Sequence, residues 1–286
     1  MEQQNMNILE RIHASYYQLT ATERKVADYV LAHSGQVQFM SITQLADECG
    51  TADASISRFC RSLKLKGFNA FKLELAQHAA TVQASEFGSS RTTDTATLEG
   101  RCQEVGRLAQ EAVSQTVELA HPDTIRQTVE LFEKAGRVLC MGSGGSMLMA
   151  QECAHLFSTV TGKFQALGDT HIQASSVAIM DPEDVIVLFS YSGATTGGLQ
   201  VLELARQRGI HTVLVTRFPK SPAASLAEVV LRCGSNESPV QIGSVSAKLA
   251  QLVVMDLLYQ EYCHRNPEEC DRNRKAIADA LTGMHV

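Results

Sequence analysis

No stretch of the 286-residue chain approaches the ~20 consecutive apolar residues of a membrane span, and the opening MEQQNMNILER lacks the apolar core of a signal peptide. The expected location is therefore cytoplasmic, with no membrane partner. The eight cysteines never fall in CxxC spacing and several lie in apolar segments, which argues for reduced core thiols over metal ligands or disulfides. The GxxxxGK[ST] loop of nucleoside triphosphatases is missing. Gly142-x-Gly144 starts like a dinucleotide fingerprint, but Met147 occupies the third glycine position and no acidic residue follows at the required strand end. Neither a cofactor nor a metal is expected, and the chain contains no internal repeat or low-complexity tract.

What is present suits two globular domains of ordinary size, with 44% hydrophobic and 20% charged residues. A net charge of −6 argues against a nucleic-acid partner on average, but the charge is unevenly distributed. From Ala54 to Leu73 every ionisable residue is basic: Arg58, Arg61, Lys64, Lys66 and Lys72. Such a stripe on an acidic protein can dock one surface on phosphates.

Around that stripe, two capping boxes, Thr20-x-x-Glu23 and Ser41-x-x-Gln44, mark helix starts. The second helix carries Leu45 and Ala46 and stops at Gly50, a natural left-handed position. After Thr51-Ala52-Asp53, apolar Ile56, Phe59, Cys60 and Leu63 recur at helical spacing, and Ser55, Ser57, Arg58, Arg61 and Ser62 are expected to point away from the core. A small residue at the crossing, a glycine in the turn and apolar anchors on the second helix are what a helix-turn-helix requires, although a plain helical hairpin has similar periodicity. Residues 81–100 are rich in Ser, Thr and Gly and read as a linker. Helical periodicity returns from Arg101 to Ala135, suited to packing on its own domain or to a subunit contact.

From Arg137 onward strands alternate with helices: VLCM, a helix from Ser146 to about Thr159, FQAL, VIVLF, a helix from Thr196 to Arg208, TVLVT, a helix near Ala223, VVLR, and a long helix around 246–262. This pattern predicts a parallel sheet flanked by helices, with ligands at the carboxyl ends of strands. Two glycine/hydroxyl clusters fall at such ends, Gly142-Ser143-Gly144-Gly145-Ser146 after VLCM and Ser190-Tyr191-Ser192-Gly193-Ala194-Thr195 after VIVLF. Hydroxyls and backbone N–H groups at a helix start can hold a phosphate, though the same residues also serve as ordinary caps. Asp169-Thr170-His171, placed just after the third strand, and Glu237, in the loop before the final long helix, are further candidates for sugar hydroxyls, with Ser143. His171, Glu237 and Lys248 are also conceivable proton-transfer groups, but a structural role for His171 is the simpler alternative.

The stretch ASISRFCRSLKLKGFNAFKLELAQ resembles the N-terminal domain of the RpiR family of bacterial transcription regulators, where RFCRxLGxxGFxxFKxxLA follows the helix-turn-helix. Leu65 is taken here as standing where that family commonly has a glycine. GSGGS and SYSGAT are similar to the phosphosugar site of the sugar isomerase (SIS) domain, the usual C-terminal partner in RpiR-type regulators. The resemblance implies an all-α helix-turn-helix domain over 1–80, a linker over 81–100 and an α/β SIS domain over 101–286. It further implies a phosphosugar held by Ser146, Ser190, Ser192 and Thr195, and DNA contacts from Ser55, Ser57, Arg58, Arg61, Lys64 and Lys66, with Lys72 near the DNA backbone. The expected partners are a double-stranded operator, a phosphorylated sugar effector and a second or further copies of the chain, as homodimer or homotetramer. Sensing rather than catalysis follows from this pairing; a phosphosugar isomerase with an accessory helical domain is the alternative.

Overall fold

The computed structural model describes residues 7–85, 96–234 and 244–284. The chain forms two compact units that divide within one helix, between Arg107 and Leu108. The first unit contains α1 (Ile8–Ser15), α2 (Ala21–Val37), α3 (Ile42–Glu48), α4 (Asp53–Ser62) and α5 (Phe68–Ser85). Both capping boxes form as expected. Thr20 accepts from Glu23 N–H at the start of α2 and Ser41 from Gln44 N–H at the start of α3, and the Glu23 and Gln44 side chains accept from the cap residues' own N–H in return. A third box, Asn7 with Glu10, opens α1. One core holds the unit together, with Ile12, Val26, Val30, Leu45, Ile56, Phe59 and Phe71 at 0% exposure. Phe59 and Phe71 meet edge-on with ring centres 5.6 Å apart.

The two turns that flank α4 have the same construction. After α3, Gly50 takes φ +59°, its N–H bonds Asp47 C=O, and Thr51 N–H reaches back to Ala46 C=O. After α4, Lys64 takes φ +61°, its N–H bonds Arg61 C=O at 2.8 Å, and Leu65 N–H bonds Cys60 C=O at 3.0 Å. Both are Schellman endings. The left-handed residue is thus Lys64 and not Leu65, so the glycine of the family pattern corresponds to Lys64; Leu65 is instead buried in the core. Gly67, at φ +155°, lies in the short turn that leads into α5.

Helix occupies both ends of the stretch expected as linker, because α5 runs to Ser85 and α6 (Leu98–Leu119) begins at Leu98. Residues 86–95 lie outside the described residues.

The second unit continues with α7 (Pro122–Lys134), β1 (Val138–Gly142), α8 (Gly145–Ser158), β2 (Phe164–Leu167), α9 (Thr170–Val177) and β3 (Val185–Phe189). It is completed by α10 (Thr196–Arg208), β4 (His211–Thr216), β5 (Val229–Arg232), α11 (Val245–Arg265) and α12 (Pro267–Leu281). All strand pairs are parallel, in the order β2-β1-β3-β4-β5. Every residue of β1 and β3 is buried, because helices cover both faces: α7, α8 and α11 share one core, α9 and α10 the other. Two elements differ from the sequence reading. Residues 217–226 form successive turns instead of a helix near Ala223, and α9 follows β2, so Asp169-Thr170-His171 stands after the second strand and not the third. Pro222 lacks a backbone donor, and the flanking serines bond local backbone in competition with a helix, Ser221 Oγ accepting from Ala224 N–H and Ser225 Oγ donating to Pro222 C=O.

Candidate functional site

The strand order places the site. β1 and β3 are neighbours, yet the chain leaves β1 toward β2 on one side and β3 toward β4 on the other, with α8 and α10 on opposite faces. A crevice opens at such a switch point, at the carboxyl ends of the strands. Both glycine/hydroxyl clusters follow these two strands.

Backbone packing explains the glycines. A Cβ on Gly142 would lie 2.6 Å from Ser146 C=O, so the first turn of α8 sits directly on the end of β1. Gly144, at φ +57°, precedes α8 without a side-chain cap, and Thr195 precedes α10 without one. Two helix N-termini without side-chain caps therefore stand at adjacent strand ends, where the helix dipole attracts an anion, though in α8 the N–H groups of Ser146 and Met147 bond Ser143 and Gly144 C=O. In the second loop Ser190 N–H continues the ladder to Val215 C=O, and Gly193 N–H closes a turn on Ser190 C=O at 3.0 Å. Gly193 has φ +60°, and a Cβ there would stand 2.0 Å from Ser221 Oγ. The 217–226 turns grip this loop from the other side: Ala223 N–H bonds Gly193 C=O, while Thr216 Oγ1 and Arg217 N–H both donate to Tyr191 C=O.

A third loop joins them. Thr170 Cγ2 would be 3.4 Å from a Cβ on Gly197, which brings the start of α9 beside the start of α10. Gln173, at 2% exposure, donates from Nε2 to Gly142 C=O and Leu167 C=O, tying the ends of β1 and β2 together. Gln173 and Ser221 were not anticipated, and nothing local in the sequence marks them: each acts on backbone distant along the chain.

The candidate residues differ in environment. Ser146 and Ser192 are half-buried, Ser143, Thr195 and His171 exposed, and Ser190 buried at 5%. Ser192 Oγ accepts from Ala194 N–H at 3.3 Å. Asp169 is engaged as the N-cap of α9, accepting from the N–H groups of His171 and Ile172. Lys248 is half-buried near the start of α11. Glu237 lies outside the described residues.

In the N-terminal unit, α4 presents Arg58 and Arg61 to solvent, with Ser57 half-buried and Lys64 and Lys66 exposed beyond its end. Ser55 does not point away from the core as expected: it is buried at 6%, and its Oγ accepts from Arg58 Nη2 at 3.0 Å. At the start of the same helix, Asp53 Oδ2 accepts from Thr43 Oγ1 of α3 at 3.0 Å. Ser62 donates to Glu23 Oε1 at 2.5 Å, fixing α4 against the start of α2. Lys72 Nζ stands 5.4 Å over the Phe68 ring. No described helix is long and apolar enough to cross a membrane, and no cluster of potential metal ligands occurs among the described residues.

Comparison with known proteins agrees with both halves. Residues 6–82 match the helix-turn-helix domain of the rpiR family, and residues 131–260 match the SIS domain. A protein of Haemophilus influenzae named as an HTH-type transcriptional regulator is 29% identical over 258 residues, 88% of each chain. One from Thermotoga maritima with the same designation is 27% identical over 280 residues, covering 96% of this chain and 99% of that one. The solved structure of Vibrio vulnificus NanR, complexed with ManNAc-6P, superposes with a TM-score of 0.87 at 25% identity, covering 98% of this chain and 100% of the other. The sugar isomerase domain of an RpiR transcription factor from Sphaerobacter thermophilus shares the fold, with a TM-score of 0.57 at 22% identity over 62% of this chain and 98% of that one. The chain belongs to the RpiR-type transcriptional regulators, a helix-turn-helix domain of the rpiR family followed by a SIS domain.

Proposed function

We propose that this regulator controls genes of sugar or amino-sugar metabolism in the cytoplasm, and that a phosphosugar in the SIS domain sets its affinity for DNA. The observation that carries the reading is the pair of uncapped helix N-termini, α8 and α10, at adjacent strand ends on either side of the switch point. Ser146, Ser190, Ser192 and Thr195 would hold the phosphate with backbone N–H groups, and Ser143 and His171, both exposed, would meet sugar hydroxyls. Asp169 would act by holding the start of α9. The likeness to NanR with ManNAc-6P makes an N-acetylhexosamine 6-phosphate the first effector to try.

On the DNA side, Arg58, Arg61 and Ser57 are the candidates for base edges and Lys64 and Lys66 for phosphates. A buried Ser55 would contribute by orienting Arg58. One small head rarely supplies enough specificity, so the protein is expected to act as a homodimer or homotetramer on a two-fold site. An effector that binds one arrangement of the oligomer better than another shifts DNA affinity by that difference and no more.

Calorimetry of the full chain with ManNAc-6P and with unphosphorylated ManNAc, followed by gel shifts on upstream DNA with and without the binder, tests the reading. Equal affinity for both sugars would remove the phosphate site. Turnover of the phosphosugar without DNA binding would make the protein an isomerase instead.

A further inference from the structure

Cys263 lies in the last turn of α11 and Cys270 in the first turn of α12, beyond the stretch matched by the SIS model. The helices are joined by a tight turn in which Asn266 N–H bonds Tyr262 C=O at 3.0 Å and Cys270 N–H bonds Asn266 C=O at 3.1 Å. This turn sets the two cysteines beside one another at the facing ends of the helices. Cys263 is half-buried and so reachable from solvent, while Cys270 is sealed at 0% exposure. Arg274, one turn along α12, places Nη2 3.1 Å from Cys263 Sγ and 3.2 Å from Tyr259 Oη, with its guanidinium 5.9 Å over the Tyr259 ring. A cation fixed against a sulfur stabilises the negative charge that the sulfur carries as it attacks an electrophile. The chain contains a natural control: Cys140 on β1 and Cys153 on α8 are also neighbours, but both are at 0% exposure.

We propose that Cys263 and Cys270 form a hydroperoxide-oxidisable dithiol, with Cys263 as the attacking and Cys270 as the resolving sulfur. The Cys263 thiolate attacks one peroxide oxygen; the S–O bond forms as the O–O bond breaks, and the departing oxygen leaves as water after taking a proton. The Cys270 sulfur then attacks the Cys263 sulfenic acid, forming the S–S bond and breaking S–O, while its proton leaves with the hydroxyl as a second water. Two thiols lose two electrons to one hydrogen peroxide. Burial, with Cys263 beside it, pushes the Cys270 thiol up to about 12, which leaves the first attack to Cys263. Arg274 assists by position and is not itself consumed.

The experiment treats the reduced full-length protein with hydrogen peroxide, blocks remaining thiols with iodoacetamide and analyses the tryptic digest without reduction. Cleavage after Arg265 separates the two cysteines, so the disulfide appears as peptide 249–265 linked to peptide 266–272. The expected result is this linked pair at peroxide doses that leave Cys140 and Cys153 intact. Cys270→Ser should accumulate a dimedone-reactive sulfenic acid on Cys263, and Arg274→Gln, an exposed position, should slow formation roughly tenfold. Full alkylation of Cys263 and Cys270 after peroxide, oxidation confined to the exposed Cys102, or sulfinic acid on Cys263 without the link would each overturn the proposal. The wild-type digest needs no variant, so a poorly folding Cys270→Ser leaves the test intact.

Discussion

The Ser62 hydroxyl on α4 donates to Glu23 Oε1 at 2.5 Å, while the other oxygen of that carboxylate accepts from Thr20 N–H and Thr20 Oγ1. One buried carboxylate therefore closes the capping box of α2 and anchors α4. Burial alone would raise its pKa, but the hydrogen bonds from Ser62 and Thr20, with Arg58 nearby, hold it below the ordinary 4.5. A depressed carboxylate contributes stability above its unfolded pKa and loses it as pH falls through the folded value. The N-terminal domain should accordingly weaken on acidification below about pH 4.5. Glu23→Gln should cost about 1–3 kcal/mol at neutral pH and flatten that acid limb, which thermal melts of the full chain across pH would register.

Lys64 occupies a left-handed position for which glycine is better suited. Lys64→Gly should raise the stability of the N-terminal domain by about 1 kcal/mol, read as a higher melting temperature, while removing one positive charge from the proposed DNA face. A lower melting temperature would mean that the Lys64 side chain contributes more than the strain costs.

Arg58→Ala and Arg61→Ala should each weaken operator binding by about 1–3 kcal/mol with the SIS domain still folded. Lys66→Ala should weaken specific and non-specific binding alike and flatten the salt dependence. Gel shifts at several salt concentrations separate the two behaviours. Unchanged affinity in both arginine variants would take α4 out of the interface.

Ser190→Ala and Ser192→Ala should lose effector response and keep DNA binding, each hydroxyl to a phosphate being worth about 1.5–3 kcal/mol. Calorimetry measures the loss directly. A double variant that answered the effector normally would refute the two-loop phosphate site.

Gly193→Ala tests the loop's construction separately from its hydroxyls. The added methyl would collide with Ser221 Oγ at 2.0 Å and would occupy φ +60°. Overpacking and backbone strain together predict a loss of about 2–5 kcal/mol, seen as a lower melting temperature of the SIS domain and absent effector binding. Gly209→Ala, left-handed at φ +69° but with open space at its Cβ, should cost only about 1–2 kcal/mol and leave effector binding intact.

Much of this protein is decided by interactions within a few residues, and those parts the sequence determined by itself. The capping boxes at Thr20 and Ser41, the left-handed Gly50, the buried runs of β1 and β3, and the bounds of α10 depend on local hydrogen bonds and on apolar periodicity, and all are found where the sequence places them. What only the tertiary structure decided involves partners far apart along the chain. Parallel pairing sets β1 beside β3 and so brings two separate clusters to adjacent strand ends. Ser55 is polar and sits on a polar-looking stripe, but packing of α4 within its unit leaves it buried at 6%. Gln173 satisfies the carbonyls of Gly142 and Leu167, and Ser221 fills the space above Gly193, because backbone groups buried at strand ends must find partners and close approach admits no Cβ. Such demands arise only once the strands are assembled, and no periodicity along a single segment encodes them.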